Sequence, residues 1–224
     1  MMMAADGYYT FTGRDGEVIP PGVTRVRIHE SITVIPAAAF NGNPSIEELD
    51  CHDRVKTVGE SAFFNCPSLR IVRMPGVKVV KRCAFMSCIA LTDVECGKLE
   101  IIGFGAFDGC ALTCINVPSA RIVGGGAFYE CDALTKVKFG KELESIRVGA
   151  FYCCTSLERI TIPLKDGMIT RNDIFQGCEN LKHVDLVGGG GVHETIAALL
   201  LEGWKYDLKE KFYAINQILP NTPA

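Results

Sequence analysis

The sequence lacks several features that would assign it quickly. No apolar run approaches the ~18–20 residues that a membrane-spanning helix needs. The opening MMMAADGYYTF carries neither a basic region nor an apolar core, so no secretory signal is expected. No Asn-X-Ser/Thr glycosylation acceptor is present, because Pro44 interrupts the one at Asn43. Positive charge is not in excess: 23 Lys and Arg stand against 26 Asp and Glu, a net charge of −3. That balance offers no global field for nucleic acid or an anionic membrane. The expectation is a cytoplasmic, intracellular chain whose thiols stay reduced. Its 11 cysteines, an odd number, fit a closed disulfide framework poorly.

Signatures of chemistry are missing too. There is no Cys-x-x-Cys pair; the nearest arrangements are Cys153-Cys154 and the looser Cys110 and Cys114. Zinc wants four converging ligands, usually in two close pairs, so no metal is expected. His193 opens HETIA but has no second histidine four residues on, and no Gly-x-Ser-x-Gly occurs. GFGAFDG (Gly103 to Gly109) places its third glycine one residue late for a dinucleotide loop. VDLVGGGGVHETIAALL has a strand-glycine-helix look but no Gly-Lys-Ser/Thr to make it a phosphate loop. The expectation is no enzyme and no cofactor.

What the chain does have is a repeat. Phe40, Phe63, Phe85, Phe107, Phe128, Phe151 and Phe175 follow one another at steps of 23, 22, 22, 21, 23 and 24 residues. Each is preceded by Ala39, Ala62, Ala84, Ala106, Ala127, Ala150 or Ile174. Three residues later come Asn43, Cys66, Cys88, Cys110, Cys131, Cys154 and Cys178, and then Ile46 or a leucine (Leu69, Leu91, Leu112, Leu134, Leu157, Leu181). A short segment follows in which apolar and polar residues alternate, as in Val72-Arg73-Met74, which is strand behaviour. Pro75, Pro118, Pro163, Gly97 and Gly140 end these segments. A second apolar pair, such as Val77 and Val80 or Leu99 and Ile102, precedes each phenylalanine. A unit of this size cannot bury its own apolar face, so stacked copies must share one core, with strands parallel and ~4.8 Å apart. The fold class expected is a β-rich repeat solenoid of about 22-residue coils.

The pattern AFxxCxxLxxVxxP, carried seven times over residues 23–187, resembles the BspA-type leucine-rich repeat family. The resemblance implies a curved solenoid of parallel strands used mainly as a protein-interaction surface. Family members occur on bacterial surfaces and in expanded sets in protists and microalgae.

At the front, residues 1–22 are expected to form a capping hairpin, two short strands about Gly13-Arg14-Asp15-Gly16. At the back, 188–191 is expected to be a glycine joint and 192–224 an amphipathic C-terminal α-helix with its tail. Ile196, Leu200, Trp204, Leu208, Phe212 and Ile215 keep helical spacing there, and Pro220 ends the run. Such a helix suits either a cap on the last coil or a partner-binding element.

The cysteines after each phenylalanine occupy one repeat position, and equivalent side chains on adjacent coils point the same way, which is wrong for closing disulfides. A small buried hydrophobe with a weak donor suits a turn whose carbonyls need partners. The outward strand positions form two columns. One is Arg27, Asp50, Arg73, Glu95, Asn116, Lys138, Thr161 and Asp185; the other is Arg25, Glu48, Ile71, Asp93, Cys114, Lys136, Arg159 and His183. Their mixed signs read as a self-neutralised surface, as a recognition face for a protein or peptide, or as both; nucleic acid wants one sign. The central residues Ile71, Cys114 and Asn116 carry less charge, a hint of a contact patch. The functional expectation is a non-enzymatic interaction scaffold that binds a protein or peptide through this face or the C-terminal helix. The alternative is a structural or cell-surface adhesion repeat exported by another route. Oligomeric state is not legible.

Overall fold

The structure is a computed structural model that describes residues 7–163, 173–188 and 191–197. The chain winds through short strands: β1 (Tyr9–Phe11), β2 (Arg25–Ile28), β3 (Val34–Ile35), β4 (Glu48–Asp50), β5 (Thr57–Val58) and β6 (Ile71–Arg73). Then come β7 (Val79–Val80), β8 (Asp93–Glu95), β9 (Ile101–Ile102), β10 (Cys114–Val117) and β11 (Ile122–Val123). It ends with β12 (Lys136–Phe139), β13 (Ser145–Ile146), β14 (Arg159–Pro163), β15 (His183–Gly188) and β16 (Gly191–Ala197). Among the described residues, the coils from β2 to β13 each contribute one longer strand to one side and one two-residue strand to the other. The apolar pair before each phenylalanine thus builds a second parallel sheet, in the order β13-β11-β9-β7-β5-β3.

Between the sheets runs a column of phenylalanines. From Phe40 to Phe175 the successive ring centroids lie 4.6–5.6 Å apart with planes within 12°. The column follows from the turns that carry the rings. In each turn the phenylalanine N–H donates to the carbonyl of the alanine one coil later: Phe63 to Ala84, Phe85 to Ala106 and Phe107 to Ala127, all at 2.8 Å. Residues two before and two after the ring take left-handed backbone, for example Ser61 (φ 52°) and Asn65 (φ 55°). Their N–H groups join the same ladder, to Arg82 and Met86. Coil spacing and ring spacing are therefore one quantity, set by backbone hydrogen bonds.

The longer strands do not form one sheet. They divide into β1-β2-β4-β6-β8 and β10-β12-β14-β15-β16, with no ladder between β8 and β10. The cause is one residue. In five coils the leucine N–H closes a turn on the cysteine carbonyl three residues back: Leu69 on Cys66, Leu91 on Cys88, Leu134 on Cys131, Leu157 on Cys154 and Leu181 on Cys178, at 2.9–3.2 Å. Leu112 sits only two residues after Cys110, so that turn cannot form and β10 starts out of step with β8. The Phe turns and the second sheet run through this coil unbroken, so the split opens one side only. Val94, whose counterpart Val72 is fully buried, is only partly covered beside the seam.

Two expectations about the ends change. The N-terminal segment is not a hairpin: β1 pairs in parallel with β2, Tyr9 to Val26 through Phe11 to Ile28. Phe11 tilts at 59° over Phe40 and caps the ring column. The loop after β1 has no strand partner because the Glu17 carboxylate takes its donors, Thr12 N–H (3.0 Å), Thr12 Oγ1–H (2.8 Å) and Arg14 N–H (3.2 Å), as well as the Tyr9 hydroxyl (2.9 Å). At the other end the expected helix does not begin at Val192, since β16 runs antiparallel along β15, His183 facing Ala197 and Gly188 facing Gly191. β15 is the last open edge of its sheet, and pairing satisfies the row of edge donors and acceptors that a helix start would leave bare. Residues 198–224, the rest of the expected helix, lie outside the described residues.

Truncating one ring removes stacking on both sides. Phe107→Ala is expected to cost ~3–5 kcal/mol, measured by chemical unfolding, whereas a change under ~1 kcal/mol contradicts a tightly packed column. Inserting one alanine before Leu112 is expected to rejoin the sheet. Slower hydrogen exchange at the Cys114–Val117 amides is the readout, and unchanged exchange contradicts the spacing explanation.

Candidate functional site

Six of the thiols serve the fold. Cys66, Cys88, Cys110, Cys131, Cys154 and Cys178 donate to the carbonyls of Phe40, Phe63, Phe85, Phe107, Phe128 and Phe151, one coil back, at 2.9–3.1 Å. Asn43 replaces cysteine in the first such coil and turns its Oδ1 to its own loop instead, accepting from Ser45 N–H (2.9 Å) and Ile46 N–H (3.0 Å). Burial pushes the Cys110 thiol well up and Cys131 up to about 12, which keeps them protonated donors.

The outward strand positions fall in the columns expected from the sequence. Arg25, Glu48, Ile71 and Asp93 share one register, as do Arg27, Asp50, Arg73 and Glu95; beyond the seam Cys114, Lys136, Arg159 and His183 align, and Asn116, Lys138, Thr161 and Asp185. The seam separates Asp93 and Glu95 from Cys114 and Asn116.

The N-terminal part of the face is internally committed. Glu48 accepts from the Tyr8 hydroxyl (2.7 Å), from Arg25 Nε (3.0 Å) and from Arg73 Nη1. Arg27 Nε pairs with Asp50 Oδ2 at 3.1 Å. Arg73 thus reaches diagonally to Glu48, not to its direct neighbours Asp50 and Glu95. Asp50 is already taken, and the sheltered Glu48, 14% exposed, attracts more strongly than a fully wet carboxylate. Tyr8 lies beneath the Arg25 and Arg27 guanidiniums, 4.1 and 4.3 Å from its ring centre, and is 6% exposed. Sequence reasoning missed it as part of the face. The signal was present: Tyr9 pairs with Val26, so Tyr8 falls in line with Arg25 once the register is extended one coil forward. At the C-terminal end Arg159 Nη1 holds both Asp185 oxygens at 2.8 and 2.9 Å.

The middle differs. Asp93, Glu95, Asn116, Lys136 and Lys138 are all exposed, and among the described residues none makes an ion pair or side-chain hydrogen bond. Two carboxylates stand on β8, two ammonium groups on β12, and between them lie the seam and the exposed Cys114. The two sets are more than one coil apart, too far to neutralise each other by contact. The arrangement is a dipolar strip with uncompensated ends over a gap in the sheet. No group of three potential metal ligands occurs among the described residues.

The sequence matches the BspA type leucine-rich repeat region in six copies, over residues 22–123 and 100–196. The chain belongs to that family. It is similar in fold to a leucine-rich repeat protein from Bacteroides ovatus (24% identity, TM-score 0.58), covering 80% of this chain and 43% of that one. The chain therefore spans under half the length of that relative. It is also similar to a leucine-rich repeat protein from T. pallidum (20% identity, TM-score 0.52), covering 82% of this chain and 77% of that one. No curated protein matches the sequence.

The Glu48 cluster makes a pH prediction. Burial alone would raise its carboxyl, but the Tyr8 hydroxyl and the Arg73 and Arg25 guanidiniums outweigh that and hold it below its ordinary value. A depressed folded value contributes stability above the ordinary carboxylate range and loses it as pH falls through the folded value. Glu48→Gln is expected to destabilise by ~1–3 kcal/mol at pH 7, with the gap to the parent closing in acid. A pH-independent difference in melting contradicts the assignment.

Proposed function

We propose that the chain is a non-enzymatic scaffold that binds a protein or peptide across the middle of its longer-strand face. The observation that carries this is the contrast along the face. Arg25, Arg27, Glu48, Asp50, Arg73, Arg159 and Asp185 are matched to one another, whereas Asp93, Glu95, Lys136 and Lys138 are not. A fitting partner presents cations to Asp93 and Glu95 and carboxylates to Lys136 and Lys138, ~10 Å or more apart at two coil spacings. The committed groups, with Ile71 beside them, brace the strip. Uncompensated rim charges set encounter rate and partner choice more than raw affinity. The eight buried thiols, among them the six that donate to phenylalanine carbonyls, support a reducing, intracellular setting.

Affinity purification with the parent chain and a Lys136→Glu/Lys138→Glu variant tests this reading. Partners retained by the parent are expected to bind the variant at least about tenfold more weakly, a loss of ~1.4 kcal/mol. Bound partner is also expected to slow alkylation of Cys114. Equal capture by both chains, with loss only when residues 198–224 are removed, moves binding to the C-terminal segment.

A further inference from the structure

The turns that carry the core phenylalanines also build an outer column. The residue after each ring holds one position, because its carbonyl accepts from the coil before: from Asn65 N–H at Met86, Ser87 at Asp108, Gly109 at Tyr129 and Glu130 at Tyr152, at 2.8–2.9 Å. Tyr129 and Tyr152 stack in this column, ring centres 4.9 Å apart and planes within 3°. One face of Tyr129 is thereby covered by Tyr152. The other looks toward the coil of Asp108, whose side chain is too short to continue the stack. The rest of that turn adds nothing at this level. Gly105 and Gly109 take left-handed backbone (φ 58° and 67°), and Ala106 and Phe107 are buried. Asp108 therefore floors a slot between Met86 and Tyr129. The core rings of these three coils are 5.3 and 5.5 Å apart, so the walls stand two such steps from each other. That separation admits one planar group in contact, at ~3.5–4.0 Å, with a wall.

The slot is acidic. The exposed Glu130 follows Tyr129, and neither Asp108 nor Glu130 makes an ion pair among the described residues. Asp132 adds charge of the same sign on that side and accepts from Thr155 Oγ1 at 3.2 Å. The half-buried Asp108 is pushed up to about 6, by burial first and then by the Glu130 carboxylate, and no cation counters them. The cations of the adjoining flank are placed elsewhere. Arg82 lies 4.9 Å from the Phe104 ring centre, with Glu60 at 3.9 Å. Lys81 and Arg147 stand four residues before their phenylalanines, beyond the Gly105 and Gly126 positions.

The strand face shows what such a combination holds. There the Tyr8 ring carries the Arg25 and Arg27 guanidiniums at 4.1 and 4.3 Å, while the Glu48 carboxylate accepts from Arg25. A planar cation stacks on the ring and its N–H fork meets the oxygens. At the slot the tyrosine face and the carboxylates recur, and no described residue brings a guanidinium to them. Met86 supplies a polarizable opposite wall. We infer that the slot between Met86 and Tyr129 is a docking point for an arginine side chain of a partner protein, its guanidinium stacked on Tyr129 and bonded to the carboxylates of Asp108 and Glu130. The site lies on the edge formed by the Phe turns and is independent of the charged strip on the longer-strand face.

The test is amide-resolved NMR titration of the full chain at neutral pH with three blocked pentapeptides, Gly-Ser-X-Ser-Gly, where X is arginine, its uncharged isostere citrulline, or lysine. The arginine peptide is expected to bind saturably and to shift the Gly105, Gly109 and Tyr129 amides. The citrulline peptide is expected to bind at least about tenfold more weakly, for want of charge. The lysine peptide, without the planar fork, is expected to bind at least about threefold more weakly. Asp108→Asn and, separately, Tyr129→Ala are each expected to weaken the arginine peptide at least about tenfold. Met86→Arg, which supplies a guanidinium from the slot's own wall, is expected to abolish the shifts with the fold intact. Lys136→Glu/Lys138→Glu is expected to leave binding at the slot unchanged, which separates this site from the strip. Equal binding of the citrulline or lysine peptide, shifts confined to Asp93 and Glu95, or no saturable binding by any peptide overturns the assignment. Binding that appears only in Arg82→Ala gives the slot to the chain's own arginine and overturns a partner in trans.

Discussion

The structure depends on the backbone ladder that ties each Phe turn to the next. Phe63, Phe85 and Phe107 each donate an N–H to an alanine carbonyl one coil on, and the residues two positions to either side do the same from left-handed backbone. Those bonds set the coil spacing, and with it the ring stack, the placement of the thiols beneath the phenylalanine carbonyls and the pairing of the second sheet. Cysteine suits its position because it is small enough for the crowded turn and still donates to the second lone pair of a carbonyl that already serves its own loop. An apolar residue of the same size would forfeit that second bond, worth at most ~0.5–1.5 kcal/mol.

Because the Phe ladder fixes one side of each coil, a change in spacing on the other side cannot be absorbed by shifting the whole coil. The short link from Cys110 to Leu112 is taken up entirely by the longer strands, and the sheet parts between β8 and β10. The surface chemistry changes at the same place. Coils toward either end match their outward charges, through Glu48 at one and Asp185 at the other, and the coils beside the seam leave theirs unmatched. The backbone irregularity and the unmatched charges coincide in the middle of the face.

Much of this was legible in the sequence. The ring column, the cysteine position and the outward charge columns all follow from a repeat whose members occupy equivalent environments, so alignment alone assigns each residue a side. The seam was visible as the single 21-residue step among longer ones, but its consequence was not, because a shortened loop is usually absorbed by local bending. Neither terminus was legible. Phe11 and the residues of β16 carry no repeat signature; their conformation answers to an open ring stack and an open sheet edge, which exist only once the solenoid is built.

The sequence by itself determined the coil, its length and which side chains face in, since a period-two strand and a recurring ring leave one way to share a core. The tertiary structure decided which outward charges are spent on each other. Arg73 turning to Glu48 and Tyr8 lying under two guanidiniums depend on distances between coils and on the shelter of each group. Electrostatic attraction varies with that shelter and is not a property of the residues alone.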